Sequence, residues 1–198
     1  MSDPIDEAVA AVQAGALVVL PTDTVYGLGG KPDDREAVRR IFGSKGRSSD
    51  LELPVLVPSL EAAVRIVAVD ARARALAGRF WPGPLTLVLP RTATSAAWDL
   101  GGDAGTLGVR MPRHPLALAV LERTGPLAVT SANRSGRPPA TTCEELHRIF
   151  GDRVEVYLCE ERPRAGVAST VADLAHGRIR ILREGDISQA ELDAALGR

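Results

Sequence analysis

The chain is poor in several things, and each shortage closes off a class of function. Among its 198 residues are two cysteines, Cys143 and Cys159. Their spacing fits neither a zinc ribbon nor a disulfide-stapled secreted scaffold, so the expectation is two reduced thiols. Three phenylalanines, two tyrosines and two tryptophans are too few for the stacking platforms of a single-strand nucleic-acid reader. No apolar run approaches the roughly 18 residues that a membrane helix needs. The first residues, Met1 to Glu7, are acidic and lack the basic segment of an export signal. The expectation is a soluble, cytoplasmic chain with no membrane partner. A formal net charge of −1 excludes nucleic-acid binding through the overall field alone, so any anion site must be local. Standard catalytic signatures are missing too. Val25 stands where a P-loop ending at Lys31 needs glycine, there is no G-x-S-x-G or H-E-x-x-H, and His114, His147 and His176 are scattered.

What is there points to an ordered α/β chain. The length suits one domain able to bury its own core, and no repeat or linker divides it, so residues 1–198 are read as a single unit. Asp3 caps a helix that opens with Pro4 and ends near Gly15, and Thr142 with Glu145 and Ser188 with Glu191 form two capping boxes. Helices are also read over 34–42, 59–67, 70–79 and 115–123. Ala16 to Leu20, Pro54 to Val57, Leu85 to Leu89, Leu107 to Met111, Leu127 to Thr130 and Val154 to Leu158 read as buried strands. Ser169 to Leu174 and Arg178 to Leu182 read as a hairpin, while 21–32 and 91–105 read as loops. Alternation of strands and helices implies an open twisted sheet flanked by helices.

Of the 24 basic residues only Lys31 and Lys45 are lysine. In an arginine-biased chain a retained lysine marks a place suited to a compact, reorientable ammonium ion. Residues 31–47 hold six basic side chains against three acidic ones, a basic surface suited to a small polyanion. Two buried strands run into polar loops, Pro21 to Leu28 (PTDTVYGL) and Thr130 to Gly136 (TSANRSG). Ligands of open α/β sheets bind beyond strand ends, so these hydroxyls and amides are candidate contacts, although ordinary turns use the same residues. A Ser131–Lys45 nucleophile pair stays open at this level.

Together with those loops, Lys45-Gly46-Arg47, Trp81 to Thr86 (WPGPLT), Gly108 to Pro112 (GVRMP), Ser131-Ala132-Asn133, Ser169 to Asp173 (STVAD) and Leu182 to Gly185 (LREG) resemble the YrdC family, in the family's order and over about residues 8–186. The resemblance implies a YrdC-like fold with a concave basic ligand cleft. It implies threonylcarbamoyl-AMP synthase activity, in which L-threonine, bicarbonate and ATP give the adenylate and pyrophosphate for a tRNA modification. Lys45, Arg47, Ser131 and Asn133 then form the catalytic, ATP-side set, with Thr106 and Arg183 as further nucleotide contacts and backbone near Val129 and Pro139 lining the same pocket. Thr22, Arg110 and Ser169 are the implied threonine contacts. Mg²⁺ is expected with ATP, held by phosphates and water. Implied partners are a downstream threonylcarbamoyl transferase complex and tRNA. The Trp81 to Pro84 corner reads as structural.

The sequence departs from the family where Ser48 follows Arg47 and the next proline is Pro54, a loop two residues longer. Pro58 stands where many members place a histidine near threonine, and Gly101 to Gly105 is glycine-rich. The competing readings are an RNA-binding protein of this fold without turnover and a Ser/Lys hydrolase.

Overall fold

The computed structural model describes residues 3–46, 48, 50–160 and 166–197. In chain order the elements are α1 (Pro4–Gln13), β1 (Val18–Leu20), β2 (Gly27–Gly30), α2 (Arg35–Lys45), β3 (Val55–Leu56), α3 (Leu60–Ile66), α4 (Ala71–Phe80), β4 (Leu85–Pro90), α5 (Ala93–Ala96), β5 (Thr106–Arg110), α6 (Pro115–Thr124), β6 (Leu127–Ser131), α7 (Cys143–Phe150), β7 (Val156–Tyr157), β8 (Thr170–Asp173), β9 (Arg180–Arg183) and α8 (Gln189–Ala195). All the α-helices except α5 and α6 start at a side chain that satisfies orphan backbone donors. Asp3 accepts from the Ile5 N–H, Asp34 from Glu36 and Ala37, Ser59 from Ala62, and Asp70 from Ala73. Both predicted capping boxes form, at Thr142 with Glu145 and at Ser188 with Glu191.

The strands make one open mixed sheet in the order β7-β1-β2-β6-β3-β5-β4-β8-β9. Three pairs are parallel (β1 with β7, β3 with β5, β4 with β8), and the other five are antiparallel. Both faces are covered. Around β1, Leu17 and Val19 join the larger core with α2, α3, α4, α7 and α8, while Val18 and Leu20 join the smaller one with α1 and α6, as the two-residue period of a strand dictates.

The structure corrects four sequence expectations. The 21–32 loop contains β2, whose Gly-Leu-Gly-Gly composition hides a central strand. The 91–105 loop contains the short helix α5. Helix α2 runs on to Lys45, so that lysine lies in a last helical turn, buried at 4% exposure, and not in a loop. Cys143 and Cys159 are joined in a disulfide, not held as separate thiols. The start of α7 and the segment after β7 bring their Cα atoms to 5.6 Å, within bridging range.

β2 fits beside β6 because three of its four residues are glycine. A methyl on Gly27 would lie 2.5 Å from Val129 Cγ1, and one on Gly29 would lie 2.8 Å from Val129 Cγ2. The two glycines thus face the two methyls of one stiff, β-branched residue, and no rotation of Val129 relieves both. Gly29→Ala is expected to lower unfolding free energy by about 1–3 kcal/mol, measured by urea titration. Adding Val129→Ala to that variant should recover part of the loss; a second substitution that adds its full cost would show that the methyls are not what excludes the side chain.

Candidate active site

The loops after β1 and β6 leave the sheet side by side. Gly27 pairs with Ser131 in the β2–β6 register, and the Ala132 N–H donates to the Tyr26 carbonyl at 2.7 Å. Beside them opens a cleft of about 400 Å³, reached by Thr22 from the first loop, Ser131 from the second, Arg110 from β5, Ser169 just before β8 and Arg183 from β9. Five of the predicted site residues therefore share one cavity.

On one wall Arg110, 6% exposed, donates from Nε to the Gly83 carbonyl at 2.9 Å, from Nη1 to Thr24 Oγ1 at 2.9 Å and from Nη2 to Asp23 Oδ1 at 2.5 Å. Burial pulls its guanidinium below the usual arginine value, and Asp23 pulls the other way. A guanidinium has five N–H groups, so one on each terminal nitrogen stays beyond these three bonds, which is the fork geometry that grips a carboxylate in two places. Thr22 Oγ1 donates to the Val25 carbonyl at 2.6 Å and lies 3.0 Å from Thr24 Oγ1, shaping the loop that carries Asp23. In the same cleft, Ser169 Oγ lies 2.8 Å from Thr86 Oγ1 and accepts from Arg183 Nη2 at 3.0 Å. Burial also lowers the Arg183 pKa.

At the β6 end, Lys45 Nζ donates to the Ser131 carbonyl, to the Asn133 carbonyl at 2.9 Å and to Asn133 Oδ1 at 3.0 Å. Ser131 Oγ donates to the same Asn133 Oδ1 at 2.6 Å. The amide nitrogen of Asn133 donates to the carbonyls of Arg134 at 2.9 Å and Arg137 at 2.6 Å. Lys45, Ser131 and Asn133 therefore meet, but not as a Ser/Lys nucleophile pair. The ammonium uses its protons on carbonyl and amide oxygens, and the serine proton points to an amide that cannot act as a base, which removes the hydrolase reading.

The remaining sequence candidates fall elsewhere. Arg47 lies outside the described residues. Thr106 is off the cleft lining, its hydroxyl donating to Asp103 at 3.3 Å and its carbonyl accepting from Arg91 at 2.7 Å. Much of the basic excess of 31–47 is turned to local partners: Arg39 pairs with Glu36, and Arg40 donates to the Gly15 carbonyl. Leu56, not Pro58, lines the cleft from β3.

Sequence reasoning passed over Asp23 and Thr24 as site residues, although both lie within the PTDTVYGL loop. It also passed over Glu52, the one carboxylate among the described cleft-lining residues. Glu52 Oε1 accepts from Arg91 Nη2 at 2.8 Å, and its other oxygen accepts from the Gly108 N–H at 3.3 Å. Arg91, its side chain 3% exposed, also donates to the Ser95 and Trp98 carbonyls. No sequence signal links positions 39 residues apart. Among the described residues no group of three His, Cys, Asp or Glu side chains could hold a metal ion, and no helix is long and apolar enough to cross a membrane.

Comparison with known proteins agrees with this architecture. The Sua5/YciO/YrdC family model, described as telomere recombination, matches residues 10–185. A Mycobacterium tuberculosis protein named provisionally as a threonylcarbamoyl-AMP synthase is 43% identical over 194 residues, covering 98% of this chain and 89% of that protein. The threonylcarbamoyl-AMP synthase of Chromohalobacter salexigens is 35% identical over 180 residues, covering 89% of this chain and 95% of its own. The crystal structure of Pyrococcus abyssi Sua5 complexed with L-threonine superposes with a TM-score of 0.87 at 36% identity, covering all of this chain and 59% of that one.

Glu52 gives the site a pH signature. Burial outweighs the pull of Arg91 and pushes its carboxyl up from 4.5 to about 7. The folded chain therefore holds this proton more tightly than the unfolded one. The resulting stabilisation is complete below about 4.5 and is lost as pH rises through about 7. Urea unfolding followed from about pH 4 to about pH 8 should show this fall in the parent chain and not in Glu52→Gln. Parallel curves for the two would mean that Glu52 binds its proton equally well in the folded and the unfolded chain.

Proposed function

The chain belongs to the Sua5/YciO/YrdC family, and from that membership we propose that it is a threonylcarbamoyl-AMP synthase. The observation that carries the proposal is that one cavity joins an arginine fork suited to an amino-acid carboxylate, at Arg110, to the Ser131 corner above the buried Lys45. No activated nucleophile stands between them among the described residues. The chemistry fits that layout. The amine nitrogen of threonine takes up the bicarbonate carbon, releasing water. An oxygen of the resulting carbamate then attacks the α-phosphorus of ATP, and the bond to the β-phosphate oxygen breaks to release pyrophosphate. Nothing in this sequence requires an enzyme nucleophile; it requires placement and charge compensation.

Arg110 receives the threonine carboxylate through the two N–H groups left by Gly83, Thr24 and Asp23, and Asp23 keeps the fork from swinging. Thr22 and Ser169 complete the amino-acid end. Lys45 supplies positive charge beneath the phosphates, Ser131 and Asn133 hold it there, and Arg183, with Nη1 beyond its bonds to Ser169, faces the nucleotide. Arg47, next but one to Lys45, belongs to the same set. Magnesium enters as the ATP complex, held by phosphate oxygens and water, since Glu52 is already bound to Arg91 and no carboxylate cage exists among the described residues. The adenylate is then passed to a threonylcarbamoyl transferase complex acting on tRNA, in the cytoplasm.

The test is pyrophosphate release by the purified chain with ATP, Mg²⁺ and bicarbonate, with and without L-threonine. Release should depend on threonine and fall at least about 100-fold in Lys45→Ala. Threonine-independent release, or folded protein that binds no ATP, would overturn the reading, and the second result would favour an RNA-binding protein without turnover.

A further inference from the structure

The polar side chains expected to touch phosphate are largely occupied with one another. Asn133 Oδ1 accepts from Lys45 and Ser131, and Asn133 Nδ2 donates to the carbonyls of Arg134 and Arg137. All the hydrogen-bonding capacity of this amide is therefore internal. What it holds is a turn. The Arg137 N–H donates to the Arg134 carbonyl at 3.0 Å, and the Ser135 N–H donates to the Lys45 carbonyl at 2.9 Å. Gly136 takes φ +74°, as the third position of a type II turn requires.

Two consequences follow from that geometry. Residues 134 and 137 are the first and fourth of a hydrogen-bonded turn, which sets their Cα atoms less than about 7 Å apart. Their carbonyls are drawn inward to Asn133, and both residues are exposed. Neither guanidinium makes an ion pair or hydrogen bond among the described residues.

We propose that the Arg134–Arg137 turn is a grip for the terminal phosphates, the pyrophosphate end of the nucleotide, with Asn133 as the positioning residue that holds it against Lys45. The proposal rests on the synthase reading. Two exposed guanidiniums carried at the first and fourth positions of one turn can each offer paired N–H donors to the oxygens of a diphosphate. The leaving group is thereby neutralised as its charge develops.

The test is calorimetric binding of inorganic pyrophosphate, ATP, AMP and L-threonine to the parent chain, to Arg134→Ala/Arg137→Ala and to the corresponding double lysine variant. Both side chains are exposed, so the melting temperature should not move. The alanine pair should weaken pyrophosphate and ATP about tenfold while leaving AMP and threonine unchanged, and the lysine pair should recover part of the loss. Unchanged pyrophosphate affinity would overturn the grip while leaving the synthase reading in place. Equal weakening of AMP and threonine would overturn it in favour of a structural role for the turn. A parent chain that binds no ATP would remove the synthase reading and the grip with it.

Discussion

The close approach of β2 to β6 is the constraint on which the site depends. Two glycines on one strand receive the two methyls of Val129 on the other, and any side chain at either position would push the strands apart. Because they stay together, Tyr26 and Ala132 are hydrogen-bonded and the loops that follow β1 and β6 emerge as neighbours. The hydroxyls of Thr22 and Ser169 and the Ser131 corner can then face one cavity. A sheet with ordinary residues at 27 and 29 would keep its core and lose this juxtaposition.

Buried positive charge is handled the same way three times. Lys45, Arg91 and Arg110 are each nearly inaccessible, and each is surrounded by oxygen atoms placed by the backbone. Burying a cation without such partners would be prohibitive. With them the charge is oriented before any ligand arrives, and little reorganisation remains for the reaction itself. Arg91 serves the cleft indirectly, since its carboxylate partner Glu52 ties the segment after α2 to β5 through the Gly108 N–H.

Much of this was written locally. Asp3, Thr142 and Ser188 announce helix starts because a side-chain oxygen two or three residues away satisfies a backbone donor whatever the rest of the chain does. Leu85 to Leu89 and Leu127 to Thr130 announce buried strands by composition alone. Ordered motifs sufficed to name the family and to nominate Lys45, Ser131, Asn133, Thr22, Arg110 and Ser169. β2 stayed hidden because glycine has low strand preference, and its strandness comes from the neighbour it admits.

The amino-acid sequence by itself determined where the capped helices begin, which apolar runs are buried strands, and many of the polar residues of the candidate site, since capping, burial pattern and motif order are short-range properties. Only the tertiary structure decided how those residues are used. Arg110 is steered by Asp23, Glu52 by Arg91, Cys143 is bonded to Cys159, and Asn133 holds a turn. Most of these partners lie far apart along the chain and meet only when sheet pairing closes the loops between them, and even the local turn at Asn133 takes its place from Lys45, 88 residues away. The cost of that closure is conformational entropy, and the compensating contacts leave no mark on the residues next to them in sequence.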